Sequence, residues 1–262
     1  MRRNGAMKIC LVSALVLTTL FLGCCVNMGG NFRAKAQRTE DLTAPAVNVT
    51  TLDVSTNVGT IDLEGGNVSE VSIVAEITVR SKTTEEAEAL IEEVQIVPEQ
   101  SGDKLVVKAV KPSGFGRNQL GVAFTITAPA NLALRCTTDV GDIRVEGFDE
   151  SIVAKTGVGT IRCEDMRSTA DLHTNVGDIT CSYASDAPAA FDAKASTNVG
   201  NVDFTGPDQI SAELAARVNV GSINTDRPLT VTGPIKKSIK ATLGDAEGDI
   251  ALHTNVGSIR IR

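Results

Sequence analysis

The phrase Thr-Asn-Val-Gly is spelled identically at residues 56–59, 174–177, 197–200 and 254–257, and looser copies end at Gly141, Gly159 and Gly221. A phrase that recurs this often restricts the chain to architectures built from one repeated unit. Seven copies are clear, and an eighth, degenerate one is read at Glu247-Gly248-Asp249-Ile250, where the valine expected to point inward has become an acid. Two residues beyond the glycines stand Ile61, Ile143, Ile161, Ile179, Val202, Ile223, Ile250 and Ile259, a column of branched side chains that defines a core. The glycines step by 18 residues from Gly141 to Gly159 to Gly177, then by 23 to Gly200, 21 to Gly221 and 36, twice 18, to Gly257. A fixed period with local insertions describes a solenoid in which each coil stacks only on its neighbours.

Within a unit the inward residues alternate, as in Leu172, Thr174 and Val176, and resume after the glycine at Ile179 and Cys181. Alternation at period two means strand. Each unit is therefore a strand, a corner, a second strand and a loop, and successive copies run parallel at a spacing of about 4.8 Å. The expected fold is all-β: a single-stranded parallel β-helix, right-handed from the usual preference of parallel crossovers, with a small α+β N-terminal capping segment. Its structural corners are Asn57 and Gly59, Asp139 and Gly141, Gly159, Asn175 and Gly177, Asn198 and Gly200, Asn219 and Gly221, and Asn255 and Gly257. Asn, Asp and Gly best tolerate a left-handed backbone, so the Asn column either bends the chain or forms a stacked amide ladder that satisfies polar groups inside the corner.

Aromatic residues make up 3% of the chain and Trp is absent, so the core is built from Val, Ile, Leu and Ala in thin layers, as a solenoid requires. A formal charge of −7 argues against a nucleic-acid partner. Residues 1–23 read as a lipoprotein-type export signal, with Arg2, Arg3 and Lys8 ahead of an apolar run from Ile9 to Leu22 that is shorter than a membrane span. The run ends in Phe21-Leu22-Gly23-Cys24, which resembles the bacterial lipobox and implies lipidation of Cys24; ordinary secretory cleavage nearby is the alternative. Acyl chains on Cys24 would hold the protein on a membrane. Residues 24–46 show no periodicity and are expected to form a tether, leaving 47–262 as the solenoid domain.

Residues 66–130 interrupt the repeats with a strand over Val71–Arg80, an amphipathic helix over 83–94 that buries Ala87, Leu90, Ile91 and Val94, and strands over Lys104–Val110 and Val122–Thr127. Stacked coils expose an apolar end, and this segment is expected to cover it, with Ser113-Gly114-Phe115-Gly116 as a hairpin tip. Inserted residues at Ser182–Ala190 and Thr205–Ser211 should lie in loops on one side of the coil.

Candidate chemistry is sparse. Calcium held by Asp139, Asp142 and Asp178 would need about six to eight oxygens converging on one point, whereas these acids lie along a line. Cys163 and Cys181 occupy one inward column in successive turns; parallel side-chain directions strain a bridge and favour free thiols, and no fourth ligand suggests zinc. His173 and His253 fill equivalent outward positions expected to lie about four coils apart, too far to share a metal or substrate. Asp142, Asp178 and Glu146 offer carboxylates for glycoside cleavage, but acids recur at outward positions throughout, and no nucleophile elbow or dinucleotide fingerprint is present. The expectation is no enzyme, no cofactor and no metal.

Thr-Asn-Val-Gly-x-Ile repeats behind a strand-helix-strand segment and an export leader resemble the bacterial putative adhesin domain family, and the related head domains of putative autotransporter adhesins, over about Val47–Arg262. The resemblance implies a β-solenoid and brings no binding residues with it. The reading that follows is an exported, membrane-anchored adhesin of the cell envelope presenting a rigid repeat surface to a glycan, matrix or protein ligand. A periplasmic scaffold or sensor is the alternative, and a β-helix carbohydrate-active enzyme is a third reading.

Overall fold

The computed structural model describes residues 34–116, 118–227 and 237–262. The leader, Cys24 and residues 24–33 of the expected tether lie outside the described residues. The chain begins with β1 (Ala34–Pro45), β2 (Thr51–Val58), β3 (Ile61–Gly66), β4 (Glu70–Ser81), α1 (Thr84–Glu93), β5 (Gln95–Ser101), β6 (Lys104–Val110) and β7 (Gln119–Pro129). Strand pairs then follow: β8 (Ala133–Val140) with β9 (Ile143–Glu146), β10 (Ile152–Val158) with β11 (Ile161–Met166), β12 (Ala170–Val176) with β13 (Ile179–Tyr183), and β14 (Ala193–Val199) with β15 (Val202–Thr205). The chain closes with β16 (Ala212–Val220), β17 (Ile223–Thr225), β18 (Ser238–Leu243), β19 (Gly248–Val256) and β20 (Ile259–Ile261).

These strands form two ten-stranded sheets that face each other across one core. The first sheet runs β1-β4-β7-β3-β9-β11-β13-β15-β20-β17, and the second runs β18-β16-β19-β14-β12-β10-β8-β2-β6-β5. Each coil places one strand in each sheet, and the coils are parallel to one another. Ile61, Ile143, Ile161, Ile179, Val202, Ile259 and Ile223 stand in consecutive register and are all buried, as the repeat predicts. Burying each such side chain stabilises the fold by about 1.5–3 kcal/mol. The loops 184–192 and 206–211 both lead from the first sheet back to the second, on the edge opposite the glycine corners, where the insertions were expected.

The stacking order departs from chain order at both ends. The coil β2/β3 lies between β6/β7 and β8/β9, and the C-terminal coil β19/β20 lies between β14/β15 and β16/β17. The degenerate eighth repeat is therefore overturned: Ile250 sits in the second sheet, opposite Ala193 and Leu214, and does not belong to the isoleucine column. The 36-residue step from Gly221 to Gly257 is one coil plus β18, which runs antiparallel to β16, and not two coils. Eight parallel coils remain, because β6/β7 supplies one that lacks the glycine corner. At about 4.8 Å per rung they span roughly 38 Å.

Two further expectations are corrected at the N-terminal end. Residues 34–45 of the expected tether form β1, twelve residues paired antiparallel with β4, and inward Ala36, Leu42 and Ala44 show why: the alternation there was masked by polar neighbours. Residues 111–116 lead from β6 in the second sheet toward β7 in the first and are not a hairpin tip, and Phe115 is buried among them. The helix matches its prediction. Thr83 caps it by accepting a hydrogen bond from the Glu86 amide, and Ala87 and Ile91 are buried. No basic residue lies in its last turn; instead Arg38, reaching inward from β1, donates to the Val94 carbonyl at 2.6 Å and pairs with Glu40. This guanidinium supplies the positive charge that the helix C-terminus favours and ties α1 to the edge of the first sheet.

Candidate functional site

Every corner in the regular coils is made the same way. Gly59, Gly141, Gly159, Gly177, Gly200, Gly257 and Gly221 have φ between 140° and 151°, a region that side chains avoid. A second constraint is added by stacking: a Cβ on Gly177 would lie 2.0 Å from the Gly159 carbonyl oxygen, and the other corners repeat this contact. Glycine is thus required by both torsion and proximity. The amides of six of these glycines, all but Gly221 of the end coil, donate to the valine carbonyl one coil along, as from Gly159 to Val176 at 2.9 Å.

Beneath the glycines runs a buried threonine ladder. The hydroxyls of Thr156, Thr174, Thr197 and Thr254 donate to the carbonyls of Gly141, Gly159, Gly177 and Gly200 at 2.8–3.0 Å. These hydroxyls satisfy the corner carbonyls that would otherwise be buried unpaired. Among the described coils with a glycine corner, β16 alone departs, with Val218 in the threonine position.

Of the two expectations for the asparagine column, the ladder is present and the bend is not. None of its members has a positive φ, so the column does not bend the chain. Its amides form a ladder, but on the surface: Asn198 donates to Asn175 at 3.2 Å, Asn255 to Asn198 at 2.9 Å and Asn219 to Asn255 at 2.7 Å, while Asn57 donates to Asp139. The buried polar groups are met by threonine instead. The valine before each glycine is likewise outward, with Val58, Val140, Val158, Val176, Val199, Val220 and Val256 each 47–61% exposed. Turning the backbone one residue early at the glycine reverses the side that alternation predicts.

The candidate acids bond to neighbouring coils and side chains. Asp142 accepts from the Thr160 amide and Asp178 from the Asn201 amide, each at 2.7 Å, one coil along. Glu146 pairs with Arg144 at 2.9 Å. Among the described residues no group of three or more His, Cys, Asp or Glu side chains is placed to hold a metal ion. Cys163 and Cys181 are direct neighbours in register, and they and Cys136 are free and buried. Burial pushes the Cys136 and Cys181 thiols up to about 12 and raises Cys163 well above its ordinary value.

The two outer faces carry different electrostatics. On the first sheet Arg144, Arg162 and Arg262 are matched with Glu146, Glu164, Asp203 and Asp226 at 2.9–4.0 Å. On the second sheet the column running Ser55, Thr137, Lys155, His173, Ser196, His253, Arg217 contains no acid. The inserted C-terminal coil changes the histidine reading: His173 and His253 are two rungs apart rather than four, with Ser196 between them and its hydroxyl 2.9 Å from the His173 Nδ1. Sequence reasoning missed this column, since the adjacency of His253 and Arg217 exists only because β19 lies beside β16.

Two facing parallel sheets joined by a glycine corner in each regular coil define a β-solenoid of the repeat-surface kind. The chain belongs to the family described as Toastrack DUF4097, whose model matches residues 27–262. No curated protein matches it. Among solved structures it is similar to a putative cell adhesion protein from Clostridium sporogenes, at 13% identity and a TM-score of 0.50, over 86% of this chain and 98% of that one. It is also similar to a putative adhesin from Bacteroides fragilis, at 14% identity and a TM-score of 0.40, over 86% of this chain and 97% of that one. At these identities the likeness concerns the fold.

Proposed function

We propose that the protein is an exported, non-enzymatic lipoprotein of the cell envelope that presents a rigid repeat surface to a glycan, matrix or protein ligand. The observation that carries this reading is the pair of broad outer faces whose side chains are held in register over successive coils by glycine, threonine and amide ladders. A surface ordered in this way loses little entropy on binding, which is the advantage of a preorganised recognition face. The adhesion names carried by related folds point the same way.

Lipidation at Cys24 fits the same picture, because β1 starts at Ala34 on the edge strand of the first sheet. The short stretch from 25 to 33 would hold the solenoid within roughly 30 Å of the acyl chains. In this reading the coil is right-handed, and residues 66–130 close the apolar N-terminal end of the stack. Protease treatment of intact cells tests the proposal: release of the folded body into the medium is expected, and full protection would exclude surface adhesion and favour a periplasmic role. Cys24→Ala should move the protein from the membrane fraction to the soluble fraction.

A further inference from the structure

We infer that the outer face of the second sheet is a binding track for a linear anionic polysaccharide. The track is the register column Lys155, His173, Ser196, His253, Arg217, which runs across five successive strands, and it ends in a hollow of about 580 Å³ lined by Arg217, Lys237 and Lys240. Among the described residues no acid lines that hollow. Lys155 and Arg217 make no ion pair within 4.0 Å among the described residues, whereas Arg144, Arg162 and Arg262 of the opposite sheet each pair with a carboxylate. In a chain of net charge −7, an uncompensated cationic column is a local feature that attracts anions against the overall field.

The shape selects an extended polymer. From Lys155 to Arg217 is four rungs, or roughly 19 Å, along a straight line. The surface asparagine ladder runs beside the column, two residues along each strand, and supplies amide groups for hydroxyls and carboxylates. Stacking on neutral sugars is not available here, because every aromatic residue among the described residues, Phe115, Phe124, Phe148, Tyr183, Phe191 and Phe204, is buried. The outward valines Val158, Val176, Val199, Val256 and Val220 lie at the corner end of the same strands, so vesicles are the comparison that separates a membrane surface from an anionic polymer. The column on the other side of the track offers Val153, Asp171, Lys194, Ala251 and Ala215.

This inference names the ligand class within the binding role proposed above and rests on it. The test is binding of the full chain, purified in detergent, to immobilised polygalacturonate, with dextran and phosphatidylserine vesicles as comparisons. Binding to polygalacturonate is expected at low salt, with weakening at high salt. The triple variant K155Q/R217Q/K240Q should bind at least about tenfold more weakly, from a roughly two- to fivefold loss compounded over three exposed charges. The variant R144Q/R162Q/R262Q, with the same change in net charge on the other sheet, should stay within twofold. All six residues are exposed, and circular dichroism of both variants should match the parent. Equal loss in both variants, no binding to polygalacturonate, or preference for the vesicles would each overturn the inference. Surface exposure is read separately by protease on intact cells, so a polymer result cannot be confused with failure of the localisation reading.

Discussion

Removing the C-terminal coil should unfold much more than a chain end. In a stack that follows chain order the last repeat is terminal, and its loss frays one edge. Here β19 and β20 are bounded on both sides, by β14 and β16 in the second sheet and by β15 and β17 in the first. Ending the chain at Ala246 deletes Ile250, Leu252, Ile259 and Ile261, each no more than 2% exposed. At about 1.5–3 kcal/mol apiece, their burial amounts to roughly 6–12 kcal/mol, comparable with the whole stability of an ordinary domain. The truncation also strips β16 of its parallel partner, leaving it only the antiparallel strand β18, and removes β20, the strand that pairs with β17. Thermal unfolding followed by circular dichroism at 218 nm, a wavelength of about the β-sheet minimum, should show the midpoint falling by tens of degrees. Limited proteolysis should cut first within residues 206–227. A midpoint within about 3 °C of the parent would mean that β16 and β17 close the gap on β14 and β15, and the argument from an internal coil would fail.

Three further outcomes are expected. Gly177→Ala should destabilise by roughly 3 kcal/mol or more in urea unfolding, since it meets both the positive φ and the Gly159 carbonyl, whereas Gly66→Ala, with its nearest contacts at 3.9 and 4.0 Å, should be nearly neutral. Arg38→Met should cost about 3–5 kcal/mol and raise amide exchange across α1, because it leaves Glu40 partly buried without its partner; burial already holds that carboxyl above its usual range despite the arginine, so adding Glu40→Gln should recover part of the loss. Cys136, Cys163 and Cys181 should resist Ellman's reagent until the protein unfolds, and their raised pKa values mean that the folded state binds the extra protons, so stability should fall as pH rises through and above 9.0.

Much of the local structure was legible in the residues. Period-two alternation gave the strands, and a glycine before each isoleucine gave the corners, because only glycine tolerates that torsion and that contact. The inward pairing of Cys163 with Cys181 followed from counting along the repeat. The outward valines did not, since alternation counted straight through a corner assigns the wrong side to the residue next to the turn. The roles of threonine and asparagine were exchanged for a related reason: both recur in the phrase, and only the direction of each side chain distinguishes the buried ladder from the surface one.

What the chain alone determined is the unit: strand, glycine corner, strand, with one aliphatic column on the inside. What the tertiary structure decided is which unit lies on which. Parallel backbone ladders pair any two strands alike, and each coil offers its neighbours nearly the same valine, threonine and isoleucine columns, so nothing local says that residues 248–261 enter between the two coils that precede them. That choice depends on the loops that span the rungs and on β18, which occupies the open edge of β16 as an antiparallel strand. It is also the choice that sets His253 between Ser196 and Arg217 and assembles the cationic face.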